Sequence, residues 1–457
     1  MTDSPAALSA LDSARRKAYL RLIPLLFASY VIAYIDRVNI AFAKLTMTKD
    51  LPAFNDKVIG MGASLFFLGY FLLEIPGSLI VERWSARKWI ARIMVSWGII
   101  SMLTAWVTTP TQFYVARFLL GLAEAGFFPG VVIFLTHWFP QRDRARALAL
   151  FLIATPVAQV LAPLGCKSLL EIGMNEVVNG QTVAHAAVMG LKGWQWVFVA
   201  WGLPAVVLGF MVLFFLIDWP REAKWLTAEE KAALEGEIER ERLASAPKHK
   251  MGLLDGIKHP KVLLLALVYF CVVTANYGTE IFMPSFLDKW YSLKIDKIAA
   301  LVILPPLGAL AGQLFVGWNS DRIKERRLHT AVPIAVGAVA LALIPLSLGT
   351  LALTMALLIV GRTGIKAYQP AFWSLPTTFL TSTAAAGSVG FINSVGNLGG
   401  FVGPNVVGYV KETTGSYQGG IWFLATMMVI AVVAVFFLFG TKKELKPEPA
   451  LTPGTTG

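Results

Sequence analysis

Apolar residues in this chain come in long blocks instead of alternating with polar ones. Runs such as 58–81 and 422–440 match the roughly 20 residues of helix needed to cross a hydrocarbon layer. In lipid every backbone N–H and C=O must be bonded internally, so an unbroken apolar block of that length is confined to helix. Blocks fit near 21–43, 58–81, 88–108, 111–136, 147–171 and 195–217, then near 261–287, 297–318, 329–347, 350–378, 386–410 and 420–440. Hydrophobic side chains make up 56% of the chain and charged ones only 15%, whereas a soluble chain carries about 25% charged residues. A secreted disulfide scaffold, a disordered chain and an ordinary cytosolic enzyme are excluded. The chain reads as an all-α membrane protein of 12 transmembrane helices in two six-helix halves.

The expected organisation is an N-terminal tail (1–20), a first half (21–217), a central connection (218–260), a second half (261–440) and a C-terminal tail (441–457). Alternate connections differ sharply in charge. Of the 40 Lys and Arg, one side carries Lys44, Lys49, Lys57, Lys192, Lys289, Lys294, Lys297 and Lys411, and the other holds most of the rest. The positive-inside rule then makes both termini cytoplasmic. This placement also explains the net charge of +12 without nucleic acid, which would call for a basic patch on one soluble face. No cleavage-site pattern follows Arg15, Arg16 and Lys17, so the first block reads as a retained span. Cys166 and Cys271 fall inside apolar blocks and read as packing residues. In the central connection, Thr227-Ala-Glu-Glu230 has the spacing of a capping box, predicting a surface helix through Lys231–Arg242 whose charges form a solvated face.

The halves echo each other. The loop after the second block reads Ser78-Leu-Ile-Val-Glu82-Arg83-Trp-Ser-Ala-Arg87-Lys88, and the loop after the eighth reads Gly317-Trp-Asn-Ser-Asp321-Arg322-Ile-Lys-Glu-Arg326-Arg327. Spacing repeats again between Arg117 with Glu124 and Arg362 with Gln369. Such internal repeats are a transporter architecture, with the site between halves near mid-membrane. The loop pattern resembles the signature of the major facilitator superfamily, Gly-x-x-x-Asp-Arg-x-Gly-Arg-Lys/Arg, with Ser78 and Glu82 departing from it in the first copy. Tyr34-Ile-Asp-Arg-Val-Asn-Ile-Ala-Phe-Ala43, the stretch Arg117–Gly130 and the stretch Ile392–Pro404 are similar to the anion:cation symporter branch, and the phthalate-type subgroup is the nearest match. The resemblance covers the chain from Arg15 to Gly440. It implies the major facilitator fold and proton-driven uptake of a sugar acid, hydroxydicarboxylate or aromatic carboxylate by alternating access.

Ionisable groups inside a span are costly and mark functional positions. Asp36 and Arg37 fall toward the outer end of the first block, either as an interfacial ion pair or as groups serving different partners about 100° apart on the helix. Glu124 follows Arg117 by two turns on the same face, either held by that arginine for packing or lining a cavity with it. The resemblance gives Asp36 and Glu124 the protons, Arg37 the substrate carboxylate and Tyr70 a substrate contact. Tyr34 and Tyr70 can donate phenolic hydrogen bonds or simply pack. In the tenth block Arg362 and Lys366 share a face with no evident acid in the same block, forming an anion clamp unless Arg362 snorkels outward. Lys366 is outside the branch pattern and points to a dicarboxylate. Gln369, Trp373 and Ser374 follow on the same block, and Asn393 and Asn397 present two amides suited to orienting a carboxylate. Gln159 and Lys167 are weaker candidates.

The histidines lack metal-ligand spacing, and no phosphate loop, nucleophile elbow or dinucleotide fingerprint stands in its expected context. Neither a metal nor a cofactor is expected. The reading is a monomeric bacterial inner-membrane symporter whose partners are protons, a small organic anion and the bilayer. Its rivals are a proton-coupled efflux antiporter and a membrane enzyme or sensor. Glu82, Arg83, Arg87, Asp321 and Arg322 are expected in the gating loops.

Overall fold

The computed structural model describes residues 5–173, 175–178, 181–184, 186–244, 258–376 and 382–438. The chain begins with α1 (Pro5–Val38), turns at Asn39 and continues as α2 (Ile40–Asp50), together forming one apolar stretch from Ala10 to Asp50. The block expected at 21–43 is therefore the middle of a longer element. Lys44, which suggested a span end, is only 3% exposed and donates to Asp56 at 3.0 Å. A paired, buried lysine need not terminate a span, and Asp36 and Arg37 lie past the middle of the Ala10–Asp50 stretch, in the last turn of α1.

The rest of the first half comprises α3 (Asp56–Arg83), α4 (Ala86–Leu103), α5 (Pro110–Glu124), α6 (Phe127–Trp138), α7 (Gln141–Leu152), α8 (Ala154–Leu170) and α9 (Gly193–Phe215). Short-range chemistry sets several starts. Asn55 accepts from the Val58 amide at 3.0 Å, Ser85 accepts from Lys88 at 3.1 Å, and Thr109 forms a capping box with Gln112. The fourth apolar block breaks between α5 and α6 at Gly126, whose φ of +86° is open to a residue without Cβ. One departure from an all-helical chain is a small antiparallel hairpin, β1 (Asn175–Val178) with β2 (Gln181–Ala184), in the connection before α9.

The central connection holds α10 (Ala228–Ala244), begun by the expected capping box: Glu230 N donates to Thr227 Oγ1 at 3.2 Å and Thr227 N to Glu230 Oε2 at 2.8 Å. Its charges are not merely solvated. Glu230 accepts from Lys17 at 2.6 Å and Ser13 at 2.7 Å, and Glu241 accepts from the Gln141 amide at 2.7 Å, tying α10 to α1 and α7.

The second half comprises α11 (Pro260–Tyr291), α12 (Ile295–Val302), α13 (Leu304–Ile323), α14 (Arg327–Leu343), α15 (Leu351–Ala367), α16 (Gln369–Ser374), α17 (Ser382–Thr414) and α18 (Gln418–Leu438). Packing repeats between halves: α3 on α5 and α4 on α9 are matched by α13 on α15 and α14 on α18. Among the described residues, 11 helical stretches are long and apolar enough to cross a membrane. The 33-residue α17 falls outside that set because it is rich in Gly, Ser and Asn, and it packs between α3 and α11.

The halves close on the side opposite the chain termini. Asp56 bridges Lys44 and the Tyr417 hydroxyl (2.9 Å), and Lys44 lies 3.8 Å from the centre of the Phe282 ring. Nearby, α3 and α17 approach at Gly60 and Gly408, where a Cβ on Gly60 would meet the Pro404 carbonyl.

Candidate functional site

Just before the Asn39 turn, α1 presents Asp36 and Arg37 to different neighbours. Asp36 accepts from Ser101 of α4 and from the Asn39 amide at 2.9 Å, leaving its Oδ2 without a partner among the described residues. Arg37 donates to Glu124 at the end of α5 and to the Tyr277 hydroxyl of α11 at 3.3 Å. Its guanidinium also lies 5.4 Å from the Phe66 ring and 5.3 Å from the Tyr70 ring, which places Tyr70 against the cation. The pair on adjacent residues is thus split between partners.

Glu124 is joined to Arg37, not to Arg117. Arg117 is 1% exposed, sits 5.2 Å from the Phe66 ring, and has neither Nε nor Nη1 hydrogen-bonded among the described residues. Glu124 likewise keeps one carboxylate oxygen, Oε2, unpartnered. Uncommitted polar atoms on a buried cation and a buried acid are costly to leave unmade, and such groups mark a place where a ligand can bind.

A second cluster surrounds Glu280 of α11. Its carboxylate accepts from Gln159 of α8 at 2.8 Å, Tyr34 of α1 at 3.0 Å and Asn276 at 3.3 Å, with Arg362 of α15 at 3.5 Å. Arg362 also donates to the Asn276 side chain at 2.9 Å and is 1% exposed, so it does not snorkel. It does have an acid, supplied by another helix. Lys366, one turn further along α15, has no hydrogen bond or ion pair among the described residues. A space of about 30 Å³ bounded by Gln159, Glu280, Arg362, Val38, Phe42 and Met283 adjoins this cluster, room for little more than a water.

The amides of Asn393 and Asn397 do orient a carboxylate, and it belongs to the chain itself: Glu74 of α3 accepts from Asn393 at 2.7 Å, Ser394 at 3.3 Å and Asn397 at 3.4 Å. Three other candidates lie along α16, apart from the Arg37 and Glu280 clusters. Gln369 accepts from Gln313 at 2.8 Å, Trp373 packs edge-on against Tyr269 at 4.9 Å, and the Ser374 hydroxyl bonds back to Ala371 at 2.7 Å. Sequence reasoning missed Glu74, Asn276, Tyr277 and Glu280. Both glutamates carried the signal of an acid inside an apolar block.

The loop residues have separate partners. Asp218 gathers the Ser85 hydroxyl at 2.5 Å and the Arg87 amide at 2.8 Å, fixing the loop after α3 to the end of the first half. In the second copy Asp321 pairs with Arg326 at 2.7 Å and Arg322 lies 5.4 Å from the Trp318 ring. The side chains of Glu82 and Arg83 lie outside the described residues, as do 245–257 of the central connection and the tail 441–457.

Comparison with known proteins adds the wider context. The model of the family described as Major Facilitator Superfamily matches residues 26–404. An Agrobacterium vitis protein named for tartrate transport is 40% identical over 94% of this chain and 95% of its own length. An Acinetobacter baumannii protein named as a quinolone resistance transporter is 36% identical over 95% and 96%. In fold, the chain is similar to the crystal structure of a bacterial homologue of the human lysosomal transporter Spinster, inward-facing and unoccupied, with a TM-score of 0.72 at 17% identity over 96% of this chain and 97% of that one.

Proposed function

The chain belongs to the Major Facilitator Superfamily, a superfamily of multi-pass membrane transporters and not of enzymes, and on that premise we propose that it imports a small organic carboxylate together with protons. Hydroxydicarboxylates such as tartrate are the first substrates to test, in keeping with the name of the Agrobacterium vitis relative. In this reading α17 is the twelfth span, both termini are cytoplasmic, and the side closed by Lys44, Asp56 and Tyr417 faces outward. The carrier works as a monomer in a bacterial inner membrane and belongs to the anion:cation symporter branch.

The observation that carries the reading is the Arg37–Glu124 pair beside unpartnered atoms of Arg117 and Asp36. While Glu124 is ionised it occupies Arg37. A proton on Glu124 releases the guanidinium, whose planar fork then suits an incoming carboxylate. Proton and anion favour each other's binding by the same free energy in both directions, the linkage a symporter requires. Asp36, held by Ser101 and Asn39, is the second proton position.

Labelled L-tartrate flux in proteoliposomes under an imposed inside-alkaline gradient tests this. Wild type accumulates tartrate, whereas Glu124→Gln loses uphill uptake and retains counterflow. The quinolone-resistance relative supports efflux as a second reading. Tartrate driven out of inside-alkaline vesicles, or a wild-type uphill uptake preserved in both Glu124→Gln and Asp36→Asn, would overturn symport by these residues.

A further inference from the structure

Glu280 is an acid held by the groups one would choose to hold a free carboxylate. It is 8% exposed, and its two oxygens meet a guanidinium (Arg362), a phenol (Tyr34) and two amides (Gln159 and Asn276). Those donors come from both halves: Tyr34 and Gln159 from the first, Asn276 and Arg362 from the second. The space left beside them, about 30 Å³, has no room for a dicarboxylate while the Glu280 side chain stays in place. Glu74 differs, because it also bridges the halves but bonds Asn393, Ser394 and Asn397, with no ion pair to a cation among the described residues.

A net importer must return empty after releasing its cargo. During that return, the donors that held the anion pass through a closed, water-poor state, and an unpaired guanidinium is among the costliest groups to bury. A carboxylate on the protein removes that penalty and joins the two halves as the substrate does.

We propose that Glu280 is a tethered stand-in for the transported carboxylate, occupying Arg362, Tyr34 and Gln159 in the empty carrier and bridging the two halves for the return step, until the substrate's carboxylate displaces it. This rests on the carboxylate-uptake reading above. Displacement needs only rotation of the glutamate side chain, since Glu280 lies within continuous helix α11. Once displaced, Glu280 and its charge must be accommodated beside Arg362 and Lys366, the cations it acts on.

The test uses full-length protein with Glu280→Gln, close in shape but uncharged. In proteoliposomes the ratio of net gradient-driven uptake to tartrate–tartrate exchange should fall about tenfold, because exchange bypasses the empty return while losing one ionic hydrogen bond changes an equilibrium by that order. Tartrate should bind about tenfold more tightly by calorimetry, since an internal competitor has been removed. A third readout needs no substrate. Spin labels at Ala53→Cys and Lys289→Cys, exposed and on opposite halves of the closed side, should show the ligand-free population open on that side rising about tenfold.

Weaker tartrate binding, equal losses of net uptake and exchange, or wild-type behaviour throughout overturns the proposal. If tartrate binds neither protein, the substrate reading fails alone, and the ligand-free distances still decide: an unchanged distribution rejects the stand-in. Should Glu280→Gln not assemble, Tyr34→Phe removes one bridging donor and must move the distances in the same direction by a smaller factor.

Discussion

Replacing Lys366 with glutamine tests the proposal that this charge recognises a second carboxylate. The structure divides the work of the two α15 cations unequally. Arg362 is already committed to Asn276 and Glu280, whereas Lys366 has no partner among the described residues. An incoming carboxylate can therefore take the full donor capacity of Lys366, and a hydrogen bond to a charged group is worth about 1.5–3 kcal/mol. Lys366 is partly accessible, and water exposure reduces such pairs toward about 1 kcal/mol or less, so the lower part of that range is the fair expectation. Lys366→Gln should weaken tartrate binding on the order of tenfold, and should weaken binding of the tartrate monoamide, of similar shape and one charge fewer, by about threefold at most. Titration calorimetry of both ligands against wild type and variant reads both numbers. Equal losses for the two ligands, or no loss for either, would show that Lys366 does not read the second charge.

The charges of Arg37, Arg117, Arg362 and Lys366 are matched by those of Asp36, Glu74, Glu124 and Glu280, so these eight groups, fully ionised, sum to zero before an anion arrives. Tartrate binding near neutral pH should then take up protons, seen as a calorimetric enthalpy that varies with the buffer's ionisation enthalpy; no buffer dependence would refute this. Asp56→Asn leaves Lys44 buried without its charge partner, a loss of order 3–5 kcal/mol when uncompensated, and should favour the form open on that side, read as faster alkylation of a cysteine placed at Asn55. At the opposite face, burial raises the Glu230 carboxyl, but Lys17, Ser13 and the Thr227 amide outweigh it and hold the pKa down at about 2. A depressed acid stabilises the fold above its unfolded pKa of about 4.3 and loses that contribution as pH falls toward 2. Thermal melts of wild type and Glu230→Gln should accordingly differ at pH 7, keep part of that gap at about pH 3 and converge only below about pH 2, and a constant gap would remove the assignment.

What was legible in the sequence was local. Apolar blocks gave the helices because lipid leaves the backbone no alternative, and the Thr227–Glu230 spacing gave a helix start because a capping box is complete within four residues. The interior acids and bases were legible as a class, since a charge in a span announces itself by its cost. Their pairing was not. Glu124 shares α5 with Arg117, and helical periodicity favours that neighbour, yet its partner is Arg37, from another helix. Arg362 seemed to lack an acid because Glu280 lies in another span. Lys44 looked like a span end because nothing nearby in sequence says that Asp56 folds back on it.

Asn393 and Asn397 show where the limit falls. They read as amides fit to orient a carboxylate of the substrate, and the carboxylate they hold in this structure is Glu74 of the other half. Side-chain type fixes what a group can bind, and only the packing of two halves fixes which acid reaches it. In the proposed carrier cycle that packing changes, so cross-half bonds seen in one arrangement are the ones another can break. Glu124 on Arg37 involves first-half residues alone and can persist while the halves rock. Glu74 on α17 and Glu280 on Tyr34 and Gln159 join the two halves, so under the proposed uptake these are the carboxylates that couple conformation to the cargo.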